Sequence, residues 1–186
     1  MTRAGQSGQT CLGIAAGLIA AVLLIAAGCA MASVSDGSSD GGATADTPAE
    51  APLAQVGGAD DEGKGFVDWS SGAFEPPIIR GPQGGQHIWV SAHIRNVYPN
   101  KARVAVTMYL GSGAQAKVVS PGRVEMIGNL KGDGDWLIYP GIAAFVKEPC
   151  KIYGQSVRVD LEVDDLYGRR ASDHQWIRPT WDGPCD

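Results

Sequence analysis

The sequence predicts an all-β domain, an antiparallel sandwich of about seven or eight strands, on three observations. Apolar and polar residues alternate with period two through its longest regular segments. Turn formers punctuate the chain every ~8–12 residues. No segment after residue 28 sustains a helical period.

The elements follow in chain order. Phe74–Ile79 is a short apolar run closed by Gly81-Pro82-Gln83-Gly84-Gly85. In the next segment Ile88, Val90, Ala92 and Ile94 share one face, and Trp89, Ser91, His93 and Arg95 the other. After Pro99-Asn100, residues Val104, Val106, Met108 and Leu110 alternate with Arg103, Ala105, Thr107 and Tyr109. Gly111-Ser112-Gly113 and Pro121-Gly122 then lead into a weaker strand, Arg123–Leu130. Gly132-Asp133-Gly134-Asp135 precedes Trp136–Tyr139 and Ile142–Val146, where Pro140-Gly141 splits an edge strand or marks a bulge. The clearest alternation sets Val157, Val159, Leu161 and Val163 against Arg158, Asp160, Glu162 and Asp164. Tyr167-Gly168 turns the chain into Ser172–Ile177. Such alternation places one face of each strand in a core and the other in water.

The N-terminus has the parts of an export signal. Arg3 gives a positive start, Leu12 to Ala27 is apolar, and Ala27-Gly28 is a small-residue cleavage site before Cys29. The run Leu23-Leu24-Ile25-Ala26-Ala27-Gly28-Cys29 resembles the lipobox of bacterial lipoproteins. It departs from the strongest pattern at Ala26, where Leu is usual. The resemblance implies a signal peptide over 1–28, a diacylglycerol thioether on Cys29 and a membrane anchor through that lipid. Ala30, rather than Asp, follows the cysteine, which in such proteins favours the outer membrane where the cell has one. Two alternatives stand beside this reading: an uncleaved membrane-spanning anchor, and plain secretion after cleavage near Ala30-Met31-Ala32.

Residues 29–65 are dominated by Ala, Gly, Ser, Asp, Thr and Pro, too little apolar surface to offset the entropy of ordering. They are expected to form a disordered, acidic linker, with Asp36, Asp40, Asp46, Glu50, Asp60, Asp61 and Glu62 against Lys64. Residues 66–186 hold every Trp and Tyr and are expected to be the folded domain. Its basic and acidic residues balance, at 13 each from residue 65 onward. It therefore offers no net field for nucleic acid.

Two further segments resemble stretches of uncharacterised bacterial lipoproteins: Gly81-Pro82-Gln83-Gly84-Gly85-Gln86-His87-Ile88-Trp89-Val90, and Leu166-Tyr167-Gly168-Arg169-Arg170-Ala171-Ser172-Asp173. That resemblance implies one immunoglobulin-like β-sandwich in the cell envelope and no particular activity. The antibody pattern of a Cys pair flanking a central Trp is missing.

With Cys11 removed and Cys29 lipidated, Cys150 and Cys185 form an even pair in an exported domain, which predicts a disulfide. Closing a loop of about 35 residues stabilises by about 3–4 kcal/mol on chain-entropy grounds. A metal site at these cysteines lacks the close Cys or His spacing that zinc requires.

Catalytic signatures are not evident: no G-x-S-x-G stands at a strand-to-helix turn, and there is no complete P-loop or dinucleotide-binding glycine pattern. Among the histidines, His87 and His93 share a strand face roughly 20 Å apart at ~3.3 Å per residue, too far to share a metal. His174 could approach either, which leaves a metal-dependent envelope enzyme using His and Asp loop residues as an alternative. Asp133 with Asp135, and Asp164 with Asp165, have a partial calcium-loop character or serve as turn residues. No metal or other cofactor is assigned.

Binding residues are more in evidence. Trp89, His93 and Arg95 form a candidate binding stripe, set against the favoured reading that Trp89 packs under a loop or on the second sheet, and Trp176, Trp181 and Tyr167 are expected to cluster near the C-terminus. The sequence thus predicts a non-catalytic binding or accessory lipoprotein for an envelope protein or polymer. A purely structural lipoprotein is a further alternative.

Overall fold

The computed structural model describes residues 50–185 except 73, 120 and 121. The expected signal peptide, Cys29 and the linker to residue 49 lie outside the described residues.

The described chain forms two antiparallel sheets packed face to face. Its strands are β1 (Leu53–Gly58), β2 (Val67–Asp68), β3 (Ile79–Arg80), β4 (Gln86–Arg95), β5 (Ala102–Leu110), β6 (Lys117–Val118), β7 (Val124–Gly128), β8 (Lys131–Asp133), β9 (Trp136–Val146), β10 (Val157–Asp164) and β11 (Arg170–Ile177). A one-turn helix, α1 (Pro149–Ile152), joins β9 to β10. The first sheet has the order β2-β1-β4-β9-β8, with β3 also on β4; the second has β11-β10-β5-β6, with β7 also on β5.

The alternating segments become the core strands. Ile88, Val90, Ala92 and Ile94 of β4 face Val104, Val106 and Met108 of β5 and Val157, Val159, Leu161 and Val163 of β10, all buried in one cluster. Their predicted polar partners lie on the outer faces.

Three expectations are corrected. The folded domain begins at Leu53 rather than at residue 66, because β1 lies in the stretch read as linker and pairs along β4 from Leu53↔Arg95 to Gly58↔Val90. Its glycines make room for aromatic rings: a Cβ on Gly57 would come within 2.6 Å of Phe66, and one on Gly58 within 2.8 Å of Trp69. Phe74–Ile79 is mostly connector, entering the sheet only at Ile79–Arg80. Pro76 and Pro77 have no N–H to give a ladder, and the segment pairs instead with the C-terminal run, through Ile78 N–H to Thr180 (2.8 Å) and Thr180 N–H to Pro76 (3.0 Å). Finally, Trp136–Tyr139 and Ile142–Val146, expected as two strands, are one strand, β9, and of the two readings of Pro140-Gly141 the bulge holds.

The bulge sets Pro140 and Gly141 against the single residue Ser91, between Val90↔Ile142 and Ala92↔Tyr139. Gly141 has φ +64°, and a Cβ there would collide with the Gly63 carbonyl, so two constraints call for glycine. The fully buried Ser91 hydroxyl accepts the Gly141 N–H (3.1 Å) and donates to the Gly65 carbonyl (2.8 Å). One side chain therefore joins β4, the bulge and the 59–66 loop.

At the sandwich edge, the Asp173 carboxylate of β11 accepts the Val56 N–H of β1 at 2.8 Å. An inward carboxylate here occupies a backbone donor that an open edge would leave free.

The Cys150–Cys185 disulfide is present, with Cα atoms 5.7 Å apart. It ties the chain end to α1, and Trp181 packs nearby under Arg80, whose guanidinium lies 5.5 Å from the ring centroid.

Candidate binding surface

The outer face of the first sheet carries the predicted stripe, but other residues cover much of it. Gly63 lies against Trp89 so closely that a Cβ would come within 3.1 Å of the ring. His93 is stacked between Phe66 (centroids 3.7 Å apart) and Trp136 (5.5 Å). Its Nε2 lies 2.8 Å from Asp133. Arg95 sits 4.2 Å from the Trp136 ring centroid and 3.6 Å from Asp135. Trp89, His93 and Arg95 thus do share a face, yet Trp89 and His93 are spent holding the 59–66 loop against the sheet. Only Arg95 remains substantially open, with 36% of its side chain exposed.

The histidines do not converge. His87 is buried beside Trp89 and Phe145 on the outer face of the first sheet, and burial pushes its imidazole below the ordinary value. His174 lies on the outer face of the second sheet, opposite Asp160. Each acidic pair is likewise engaged. Asp133 and Asp135 meet His93 and Arg95, and Asp164 pairs with Arg103 and with Arg170 (2.8 Å). Asp165 accepts backbone N–H groups from Tyr98 (2.9 Å), Tyr167 (2.8 Å) and Arg169 (3.0 Å). Its role is that of a buried turn former. Among the described residues no three His, Cys, Asp or Glu side chains assemble as a metal-binding group.

The outer face of the second sheet is more open. One level across four strands reads Trp176 on β11, Arg158 on β10, Tyr109 on β5 and Val118 on β6, each directly opposite the next. Trp176 is 37% exposed and Val118 52%. Arg158 makes two hydrogen bonds to Asp160 (2.7 and 2.9 Å) and lies 4.8 Å from the Tyr109 ring centroid. The guanidinium is thereby fixed in place, so little side-chain freedom remains to be lost on contact with a partner. A cleft of about 310 Å³ continues the row past Trp176, lined by Ser70, Ser156, Gln175 and Arg178.

Beside the row lies an ionic lattice. Arg123 bonds Glu162 (3.1 Å), Arg103 bonds Glu125 (3.1 Å), and Arg103 and Arg170 share Asp164. The Arg123 hydrogen bond holds the Glu162 carboxyl below the usual range.

No family model, curated protein or solved structure matches this chain.

The expected cluster of Trp176, Trp181 and Tyr167 does not form. Tyr167 lies in the β10–β11 turn, Trp176 near the far end of β11, and Trp181 beyond it beside the disulfide. The Trp176–Arg158–Tyr109–Val118 row was not singled out from sequence. Arg158 and Tyr109 fall on predicted outer faces, but only strand order and register set them beside Trp176 and Val118.

Proposed function

We propose that this chain is a lipid-anchored envelope protein whose immunoglobulin-like sandwich is a non-catalytic binding or accessory module. The row Trp176–Arg158–Tyr109–Val118 carries this reading. It is an open, aligned surface made largely of the residue types that dominate binding energy, with its arginine already oriented. The partner class is an envelope protein or polymer that presents flat apolar groups and an acceptor for Arg158.

Strand order supports the immunoglobulin-like assignment. Naming β1, β4, β5, β8, β9, β10 and β11 as A to G gives the sheets A-B-E-D and G-F-C, the constant-type arrangement. The lipobox-like run ending at Cys29 supports the anchor.

The experiment is affinity capture of the full chain after mild crosslinking in intact cells. One stoichiometric partner is expected, reduced by Cys29→Ser and lost in a folded Trp176→Ala/Tyr109→Ala variant. A partner retained by that variant would place binding elsewhere; no partner at all would sink the accessory-module reading.

A further inference from the structure

Exposed apolar residues also gather at the end of the sandwich where the chain enters the domain. Leu166 and Tyr167, at the β10–β11 turn, are each 56% exposed. Tyr98 of the β4–β5 loop packs edge-on against Tyr167, with centroids 5.2 Å apart. The buried Asp165 holds this tip rigid by accepting amides from both loops.

Glu50 is fastened to the same end. Its carbonyl accepts from Arg169 and its carboxylate from Asn96 (3.2 Å), while Asn96 also bonds the Ala51 carbonyl (3.0 Å). The chain thus arrives beside the apolar tip. Residues 30–49 can span at most roughly 70 Å fully extended, or about 25 Å as a random coil.

At this end Asp133 meets His93, Asp135 lies 3.6 Å from Arg95, Asp164 pairs with Arg103 and Arg170, Asp165 accepts backbone amides, and the Glu50 carboxylate accepts from Asn96. Lys101 and Lys131 are exposed and have no ion-pair partner among the described residues. The Leu130 N–H bond to Pro99 (2.8 Å) draws their two loops together.

We infer that the Tyr98–Leu166–Tyr167 tip, flanked by Lys101 and Lys131, docks on the anionic lipid surface that holds the chain's own anchor. This rests on the lipid-anchor reading of Cys29. Leu166 enters the boundary between headgroups and acyl chains, the tyrosines sit at headgroup level, and the lysines meet lipid phosphates. A short linker makes the encounter intramolecular, at an effective concentration on the order of millimolar, so a weak contact suffices. With the tip on the membrane, the strands stand away from it and the Trp176 row remains open along the side of the domain.

The test is amide hydrogen exchange of the full lipidated chain in nanodiscs containing phosphatidylglycerol, beside the lipid-free Cys29→Ser chain. Exchange over residues 96–101 and 165–169 should slow several-fold in the nanodisc, less with phosphatidylcholine alone. The slowing should vanish in Leu166→Ser/Tyr167→Ser, whose thermal melt confirms folding. Flotation with vesicles reads the anchor separately, through its loss in Cys29→Ser. A chain that floats while its tip exchanges freely would keep the anchor and overturn the docking. Equal protection of these residues in the lipid-free chain would also overturn it, since the chain itself would then be covering the tip.

Discussion

Replacing Ser91 with alanine tests how the first sheet is built. The substitution removes one oxygen and leaves two backbone groups without their partner: the Gly141 N–H in the bulge and the Gly65 carbonyl. A buried polar group left unpaired costs about 1–3 kcal/mol. Gly65 is exposed, so water can replace the hydroxyl at that end, and the cost falls mainly on Gly141. The expected loss is therefore about 1.5–3 kcal/mol. For a domain of this size each kcal/mol moves Tm by about 3–4 °C, so the melt should fall by roughly 5–12 °C. Urea denaturation should show a lower midpoint at unchanged slope. The 59–66 loop should also loosen over Trp89, raising its quenching by acrylamide. A loss below about 0.5 kcal/mol, with Trp89 as protected as before, would show that the hydroxyl does not join loop, bulge and strand.

Three further outcomes are expected. Asp173→Ala should destabilise by about 1–2 kcal/mol by freeing the Val56 N–H at the edge of β1; faster exchange of that amide in the variant checks it. Burial lowers the His87 pKa in the fold, so the unfolded chain takes up its proton first. The resulting stability is complete above the ordinary value of 6.5 and is lost as pH falls below it. The wild-type melt should then drop more than that of His87→Gln between about pH 7.5 and pH 5.5, and parallel curves would contradict this. Cys150→Ser/Cys185→Ser should cost about 3–4 kcal/mol and expose residues 178–185 to proteolysis, read by denaturation and limited digestion.

The three central strands were legible because β4, β5 and β10 alternate without interruption, and one face of each carries the aliphatic residues of the core. The disulfide was legible once the export reading set Cys11 and Cys29 aside and left Cys150 and Cys185 as an even pair. Pro140-Gly141 was legible as a split or a bulge, but not the reason for it, since Ser91 reads as an ordinary polar-face residue until register sets it opposite the extra residue. β1 was hidden because its core face is Ala54, Val56 and Gly58, a composition that resembles a linker. Gly58 is required because Trp69, contributed from elsewhere, occupies the space above it, and Gly57, on the opposite face, because Phe66 lies over it. Packing of Trp89 under a loop was legible as a reading and holds, but the loop itself was not, because the stretch that lies against the ring falls within the expected linker to residue 65. The Trp176 row depends on four strands meeting at one level, which no single segment encodes.

A photo-crosslinking residue placed at Val118, at the open edge of the row, tests the binding-module claim most directly when the full chain is expressed in intact cells. A matched probe replaces Phe145, which is 45% exposed on the outer face of the other sheet. One discrete adduct from position 118, absent from position 145, is the predicted result. Equal adducts from both positions, or none from 118, would contradict it.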